Sequence, residues 1–151
     1  MSENKVHIGI DPGATGAIAI IMDETVVVLD FENPGILPLL RNLHRPLCKA
    51  VIEQVHAMPG QGVSSTFKFG MNFGIWVGRL QTLLIPFDFV TPQKWRKAMF
   101  DSMARGDDLK AMSVNRALRI FPEMADMLKR KKDHNRAEAL LLAEYARRTD
   151  K

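Results

Sequence analysis

Residues 6–22 constrain this chain more than any other stretch. Two apolar runs rich in β-branched side chains, Val6 to Ile10 and Ala17 to Met22, flank Asp11-Pro-Gly-Ala-Thr-Gly16. Runs this short, bounded by Gly and Pro, read as buried strands. Asp11 is therefore delivered to the rim of a sheet, where strand order ends. A carboxylate there loses much of its hydration and stays ionised only beside a cation or hydrogen-bond donors. Asp also caps turns through its own backbone, so Asp11 alone leaves a structural and a functional reading open.

The remaining pattern builds outward from that hairpin. Asp23-Glu24 supplies a tight turn and Thr25 to Phe31 reads as a third strand, completing an antiparallel meander that Asn33-Pro34-Gly35 ends. Leu37, Leu40 and Leu43 recur along a short helix from Gly35 to His44, with Pro38 tolerable in its first turn. The run Ala50 to Val55 follows that helix and reads as a parallel strand returning to the sheet. Phe87 to Thr91 reads as a fifth strand. Helices are expected over Ser65–Leu84, Pro92–Phe100, Asp107–Phe121 and Asp133–Arg148, with a short one beginning at Pro122. Within 151 residues this makes one α/β domain: a five-stranded mixed sheet, three antiparallel strands then two parallel, flanked by helices.

Composition excludes several classes. The single cysteine, Cys48, permits neither an internal disulfide nor a cysteine-built zinc site; it is expected to be a small buried hydrophobe in a reducing, cytosolic setting. The first residues are polar, so no targeting segment is read. The long apolar stretch Phe67 to Phe89 carries Lys68, Arg79 and Asp88 and is broken by Pro86, so no membrane span is expected. Charge is uneven: residues 1–91 hold 6 Lys/Arg and 8 Asp/Glu, residues 92–151 hold 15 and 9. A basic C-terminal part suits phosphate binding, although a solvated basic face gives the same skew.

Other chemistry-bearing residues can be read as converging on Asp11. Glu53 lies among Val51, Ile52 and Val55, where an unpaired carboxylate is costly or stays protonated. On a strand beside the first it would pair with Asp11, and two carboxylates that close do not both ionise without a cation; on an edge strand it would instead face solvent. His56 to Ser65 forms a Gly-, Pro- and Ser-containing loop that should overhang the same place. Phe67, Lys68 and Phe69 interleave aromatics with a base, as a surface for unpaired bases would. Phe69 joins a core stripe with Phe73, Trp76, Leu80 and Leu83, which leaves Phe67 as the candidate DNA contact, with Lys68 beside it. Gly70, Gly74 and Gly78, at spacing four, imply a close backbone approach to the sheet beneath or to the same helix of a second subunit, with the sheet preferred. Lys129-Arg-Lys-Lys132 is a solvated turn or a phosphate contact. On the last helix His134 and Asn135 share the face of Glu138, whereas Asp133 does so only outside the regular helix.

Together these motifs resemble the RuvC-type Holliday junction resolvases of the ribonuclease H-like superfamily, most of all their short phage and prophage members. The resemblance rests on Gly9-Ile-Asp-Pro-Gly-Ala-Thr-Gly16, the strand glutamate Glu53 with its following loop, Thr91-Pro-Gln-Lys-Trp-Arg96, the Lys110 to Pro122 helix ending Leu-Arg-Ile-Phe-Pro, and Arg136-Ala-Glu-Ala-Leu-Leu-Leu-Ala143. It implies a ribonuclease H-like fold and a structure-selective endonuclease that hydrolyses branched DNA with two Mg²⁺ ions per site, or with Mn²⁺ in their place. The catalytic, metal-binding carboxylates map onto Asp11, Glu53 and Glu138. Family members place a further acidic residue, occasionally His, three or four positions before the last carboxylate; here those positions hold Asn135 and His134, with Asp133 one step further out. The ligand is assigned to Asp133, with His134 next, either as ligand or as the group orienting the attacking water.

The resemblance also implies a homodimer suited to a four-way junction, phosphate contacts from the basic part through Lys94, Arg96, Lys110, Lys131, Lys132 and Arg136, and a bacterial or phage-infected host cytosol. The Asp-Pro-Gly-Ala-Thr-Gly run also resembles the first phosphate motif of actin-like ATPases and sugar kinases, an architecture that needs two related domains. The same motifs are compatible with a non-catalytic branched-DNA-binding relative and with a ribonuclease H-like nuclease acting on flap DNA or RNA.

Overall fold

The computed structural model describes residues 4–43 and 45–151. Five strands, β1 (Val6–Asp11), β2 (Ala17–Met22), β3 (Thr25–Asp30), β4 (Cys48–Glu53) and β5 (Phe87–Val90), form one sheet in the order β3-β2-β1-β4-β5. The pairs β1–β2 and β2–β3 are antiparallel, and β1–β4 and β4–β5 are parallel. This is the mixed sheet that the sequence pattern predicts. Helices α1 (Ile36–Asn42), α2 (Val63–Thr82), α3 (Pro92–Met99), α4 (Leu109–Ile120) and α5 (His134–Thr149) flank it, with 3-10 turns at Arg45–Leu47, Pro122–Leu128 and Lys131–Asp133. The expected end of the first helix, His44, lies outside the described residues. No helix among the described residues is long and apolar enough to cross a membrane.

Side-chain alternation along the central strands splits the core into two layers. Ile8, Ile10, Ile18, Ile20, Ala50 and Ile52 pack with Ile36 and Leu40 of α1 and Trp76 and Leu80 of α2. Ala17, Ala19, Ile21 and Val51 pack on the other face with α5 and with Trp95 of α3. Burial on both faces explains why β1 and β2 read as continuous apolar runs.

α5 lies against β1 more closely than a side chain would allow. A Cβ on Gly9 would sit 2.1 Å from the Ala143 nitrogen and 2.3 Å from the Ala139 carbonyl oxygen. The helix accepts this approach because Ala137, Ala139, Ala143 and Ala146 are small, and all are fully buried. At its far end, Asp150 Oδ2 meets His7 Nε2 at 2.9 Å and Lys5 Nζ at 3.3 Å. α5 therefore runs antiparallel to β1, and its first turn lies over the end of β1 that carries Asp11.

The sequence-based preference for packing the α2 glycines on the sheet is corrected by the structure. A Cβ at Gly70, Gly74 or Gly78 would meet nothing within 4 Å. α2 contacts the sheet through Trp76 and Leu80, and at about 100° per residue the glycines fall on the opposite side. Phe67, Met71 and Ile75 share that outer side and are exposed.

The two glycine environments predict opposite mutational outcomes. Gly9→Ala forces backbone against backbone and is expected to cost about 3 kcal/mol or more in urea denaturation. Gly70→Ala, measured in dilute solution, is expected to be neutral or to stabilise by up to about 1 kcal/mol.

Candidate active site

β1 and β4 are adjacent and parallel, with Gly9 opposite Val51 and Ile10 opposite Ile52. Their last residues, Asp11 and Glu53, therefore emerge side by side at the carboxyl edge of the sheet, where open α/β sheets place their sites. Both share the face of Gly9 and Val51, the face that α5 covers. The close approach at Gly9 brings Glu138, in the first turns of α5, down to within hydrogen-bonding reach of Asp11. Asp11, Glu53 and Glu138 are 5%, 6% and 8% exposed.

The turn after β1 is held from several directions. Asp11 Oδ1 accepts the Gly13 N–H at 3.0 Å, so the carboxylate caps its own turn as well as facing the other two. Gly16 N–H donates to the Gly13 carbonyl at 3.0 Å, and a Cβ on Gly16 would lie 2.1 Å from the Asp11 carbonyl oxygen. Asn135 Nδ2 donates to the Thr15 carbonyl at 2.9 Å and to the Thr15 hydroxyl at 2.5 Å, and Asn72 Nδ2 donates to the Ala14 carbonyl at 3.2 Å.

α3 brings the countercharge. It starts at the same edge because Thr91 follows β5 and caps the helix, accepting from Lys94 N–H at 3.3 Å with Pro92 at the first position. Trp95, fully buried, donates its indole N–H to Glu53 Oε2 at 2.5 Å. Arg96 lies over the Trp95 ring at 5.2 Å and places Nη2 3.5 Å from Glu138 Oε1. The resemblance implies a phosphate contact for Arg96 and includes Trp95 only as part of the Thr91–Arg96 motif; the structure puts both at the carboxylates. The signal for this was Thr91-Pro92, a helix cap at the exit of a strand parallel to β4.

Burial, then the Glu138 charge and more weakly that of Glu53, push the Asp11 carboxyl well above the ordinary range, against the Gly13 N–H. Burial likewise raises Glu53, opposed by the Trp95 N–H and by Arg96 and reinforced by Glu138. Three buried carboxylates facing one guanidinium leave an excess of negative charge. An all-oxygen donor set with that excess has the chemistry of a hard-cation site, although among the described residues no three such side chains already stand at metal-ligating spacing.

Asp133 is not part of this cluster. It stands at the N-cap of α5, five residues before Glu138 and so about 140° around the helix axis from it. Its carboxylate accepts from Arg130 N–H at 2.8 Å, Nε at 3.1 Å and Nη2 at 2.9 Å, with Arg136 Nη1 at 3.8 Å. Burial pushes this carboxyl up, but Arg130 and then Arg136 outweigh it and hold it below the ordinary range. His134 stands one turn before Glu138 and is half-buried. Its Nδ1 lies 3.1 Å from the Lys131 carbonyl, which can only accept, so a neutral ring leaves Nε2 as an acceptor. Arg136, expected at phosphate, instead grips Asp30 with Nε and Nη2, each at 2.7 Å, and donates to the Met127 carbonyl at 3.1 Å. Phe67, Lys68, Lys94, Lys110, Lys131 and Lys132 are exposed.

The carboxyls define two opposite pH windows. Asp11 and Glu53 hold protons in the folded chain that the unfolded chain has released, so stability falls as pH rises from the ordinary carboxylate range through their raised values. Asp30, lowered first by its bond to Arg136, Asp133, and Asp150, lowered first by His7, stabilise the fold above that range and lose this as pH falls through their lowered values. In a chelating buffer the melting temperature is expected to decline as pH rises above the ordinary carboxylate range, and Asp11→Asn to flatten that decline by calorimetry.

No family model matches the chain. The Holliday junction resolvase MOC1, chloroplastic, of Chlamydomonas reinhardtii is 30% identical over 95 residues, 63% of this chain and 10% of that protein. The chain thus spans about a tenth of the length of the curated relative it matches. Thermus thermophilus RuvC in complex with a Holliday junction substrate superposes with a TM-score of 0.58 at 18% identity, over 95% of this chain and 96% of that one. A second Thermus thermophilus RuvC structure gives 0.54 at 19% identity with the same coverage. The five-stranded sheet, its strand order and its flanking helices are those of the RuvC, ribonuclease H-like fold.

Proposed function

We propose that this chain is a RuvC-type, structure-selective endonuclease that hydrolyses phosphodiesters in four-way DNA junctions. The observation that carries the reading is the buried set Asp11, Glu53 and Glu138, gathered from two parallel strands and one helix on this fold. Support comes from the solved RuvC bound to a Holliday junction, which aligns over nearly the whole chain, and from the resolvase name of the curated relative.

Asp11, Glu53 and Glu138 would hold two Mg²⁺ ions, with Mn²⁺ able to replace them and His134 Nε2 as the further nearby donor. The chemistry such ions would supply there is activation of an attacking water and relief of the charge that develops on the phosphate. The chain's own residues set the geometry. The Trp95 N–H fixes one Glu53 oxygen, the Gly13 N–H fixes one Asp11 oxygen, and Arg96 offsets part of the charge at Glu138. Asp133, held by Arg130, keeps the entry to α5 in place.

The outer side of α2 supports a homodimer. Gly70, Gly74 and Gly78 open onto empty space beside exposed Phe67, Met71 and Ile75, a smooth uncharged strip along a 20-residue helix. A second α2 can approach such a strip closely, and a two-fold pair of sites suits a junction with two symmetric strands.

Incubation with four-way junction, flap, duplex and RNA–DNA hybrid, in Mg²⁺ or EDTA, tests the reading. Junction cleavage in Mg²⁺ is expected to fall at least about a thousandfold in Asp11→Asn and about 10- to 100-fold in Trp95→Phe, which loses the bond to Glu53. Junction cleavage that persists in Asp11→Asn removes the assignment. Cleavage of the hybrid or flap alone favours a nuclease for that substrate, and binding without cleavage favours a non-catalytic relative. Sedimentation is expected to show a dimer for the natural chain and a monomer for Gly74→Arg.

A further inference from the structure

A half-open cleft of about 230 Å³ lies on the far side of the turn that begins at Asp11. Its walls come from that turn, from the end of β3, from the first part of α2 and from the approach to α5, and they include Thr15, Phe31, Glu32, Lys68, Arg130 and Lys132. None of Asp11, Glu53 and Glu138 lines it. The cleft adjoins the carboxylates without being part of them.

Its charge is not balanced in the way a count suggests. Asp30 and Asp133 also line it, but Asp30 is taken by Arg136 and Asp133 by Arg130. The charges left to face the cleft are Lys68 from α2, Lys132 from the approach to α5 and Glu32 at the end of β3, and all three are exposed and form no ion pair among the described residues. Thr15 Oγ accepts from Asn135, so its own hydrogen remains to donate. The Phe31 ring contributes an apolar wall, backed by Trp76 at 5.4 Å and by Arg79.

Two cations alone would suit any anion. A carboxylate lining the same cleft repels a small free anion and instead accepts from an amino group. Phosphate donors, an apolar wall and one acceptor in a cleft whose volume of about 230 Å³ admits a nucleobase but not a duplex match a single nucleotide of an opened strand. We propose that this cleft seats the nucleotide next to the scissile phosphate, Lys68 and Lys132 holding its backbone phosphate and Glu32 reading an exocyclic amino group of its base. The assignment rests on the nuclease reading above and adds to it a specificity-determining residue, with cytosine or adenine favoured over thymine at one position beside the cut.

Two measurements test it. Junction binding in EDTA over a salt series is expected to be about tenfold weaker for the Lys68→Ala/Lys132→Ala double variant, with the slope of log affinity against log salt shallower by about one. Cleavage mapped on junctions carrying each base beside the cut is expected to show a preference of about fivefold or more for the natural chain. Glu32→Gln is expected to level that preference while its rate on the best junction stays within about threefold. Unchanged melting temperatures check that these surface variants are folded. A double variant that keeps the natural affinity and slope, a Glu32→Gln profile superimposable on the natural one, or a natural chain with no base preference each overturns the assignment. A natural chain that neither binds nor cuts any junction removes the nuclease reading and the cleft with it, whereas one that cuts while the variants match it removes only the cleft.

Discussion

The structure depends on one missing side chain. At Gly9 the backbone of α5 rests on the backbone of β1, and a methyl group there would meet the helix at little more than 2 Å. That contact sets the height of α5 above the sheet and thereby the position of Glu138 over Asp11. It works only because the facing positions of the helix are alanines and because both ends of the helix are tied. His7 and Lys5 hold Asp150 at one end, while Arg136 links Asp30 to the 122–136 segment at the other.

What the helix delivers is an unfavourable arrangement, three carboxylates out of water and close together. Like charges in a buried site either stay partly protonated or take up a cation. The fold supplies partial relief from the Gly13 N–H, the Trp95 N–H and the Arg96 guanidinium. These donors fix carboxylate oxygens without neutralising the set, and that leaves its affinity for hard cations intact. Arg96 carries a buried Nε with no hydrogen-bond partner, so its place beside Glu138 is maintained by packing on Trp95 and by charge rather than by a saturated set of hydrogen bonds.

A second polar network lies next to the first and does different work. Asp133, Arg130, Arg136 and Asp30 join the start of α5 to the end of β3 in paired, hydrogen-bonded contacts. A buried carboxylate so fully engaged has little left for another ligand. The same network frees Lys68, Lys132 and Glu32 to face the cleft beyond the turn. Two neighbouring groups of acidic residues thus differ in how far arginine offsets them, Asp30 and Asp133 each in a hydrogen-bonded pair and Asp11, Glu53 and Glu138 with one guanidinium among three.

Strand identity, strand direction and the placement of Asp11 at a strand end were legible in the sequence, because β-branched runs bounded by Gly and Pro report local backbone preference directly; Glu53 was expected inside a strand reaching Val55, whereas β4 ends at it. Glu138 was legible from its small neighbours and from the motif around it. The role of Trp95 and Arg96 was not, since it depends on where α3 lands relative to β4, and that follows from the pairing of β4 with β5. Nor was the fate of Asp133 and Arg136, whose partners are an arginine between two 3-10 turns and an aspartate more than a hundred residues away. The α2 glycines show the same limit: spacing four determines that they share a face, but only the burial of Trp76 and Leu80 decides that the face is outward. The sequence by itself determined which elements form and which residues sit at their ends, through local periodicity. Which carboxylates meet, and which are instead neutralised by arginine, was decided by tertiary packing, because a side chain's electrostatic partners come from whichever elements the core brings together.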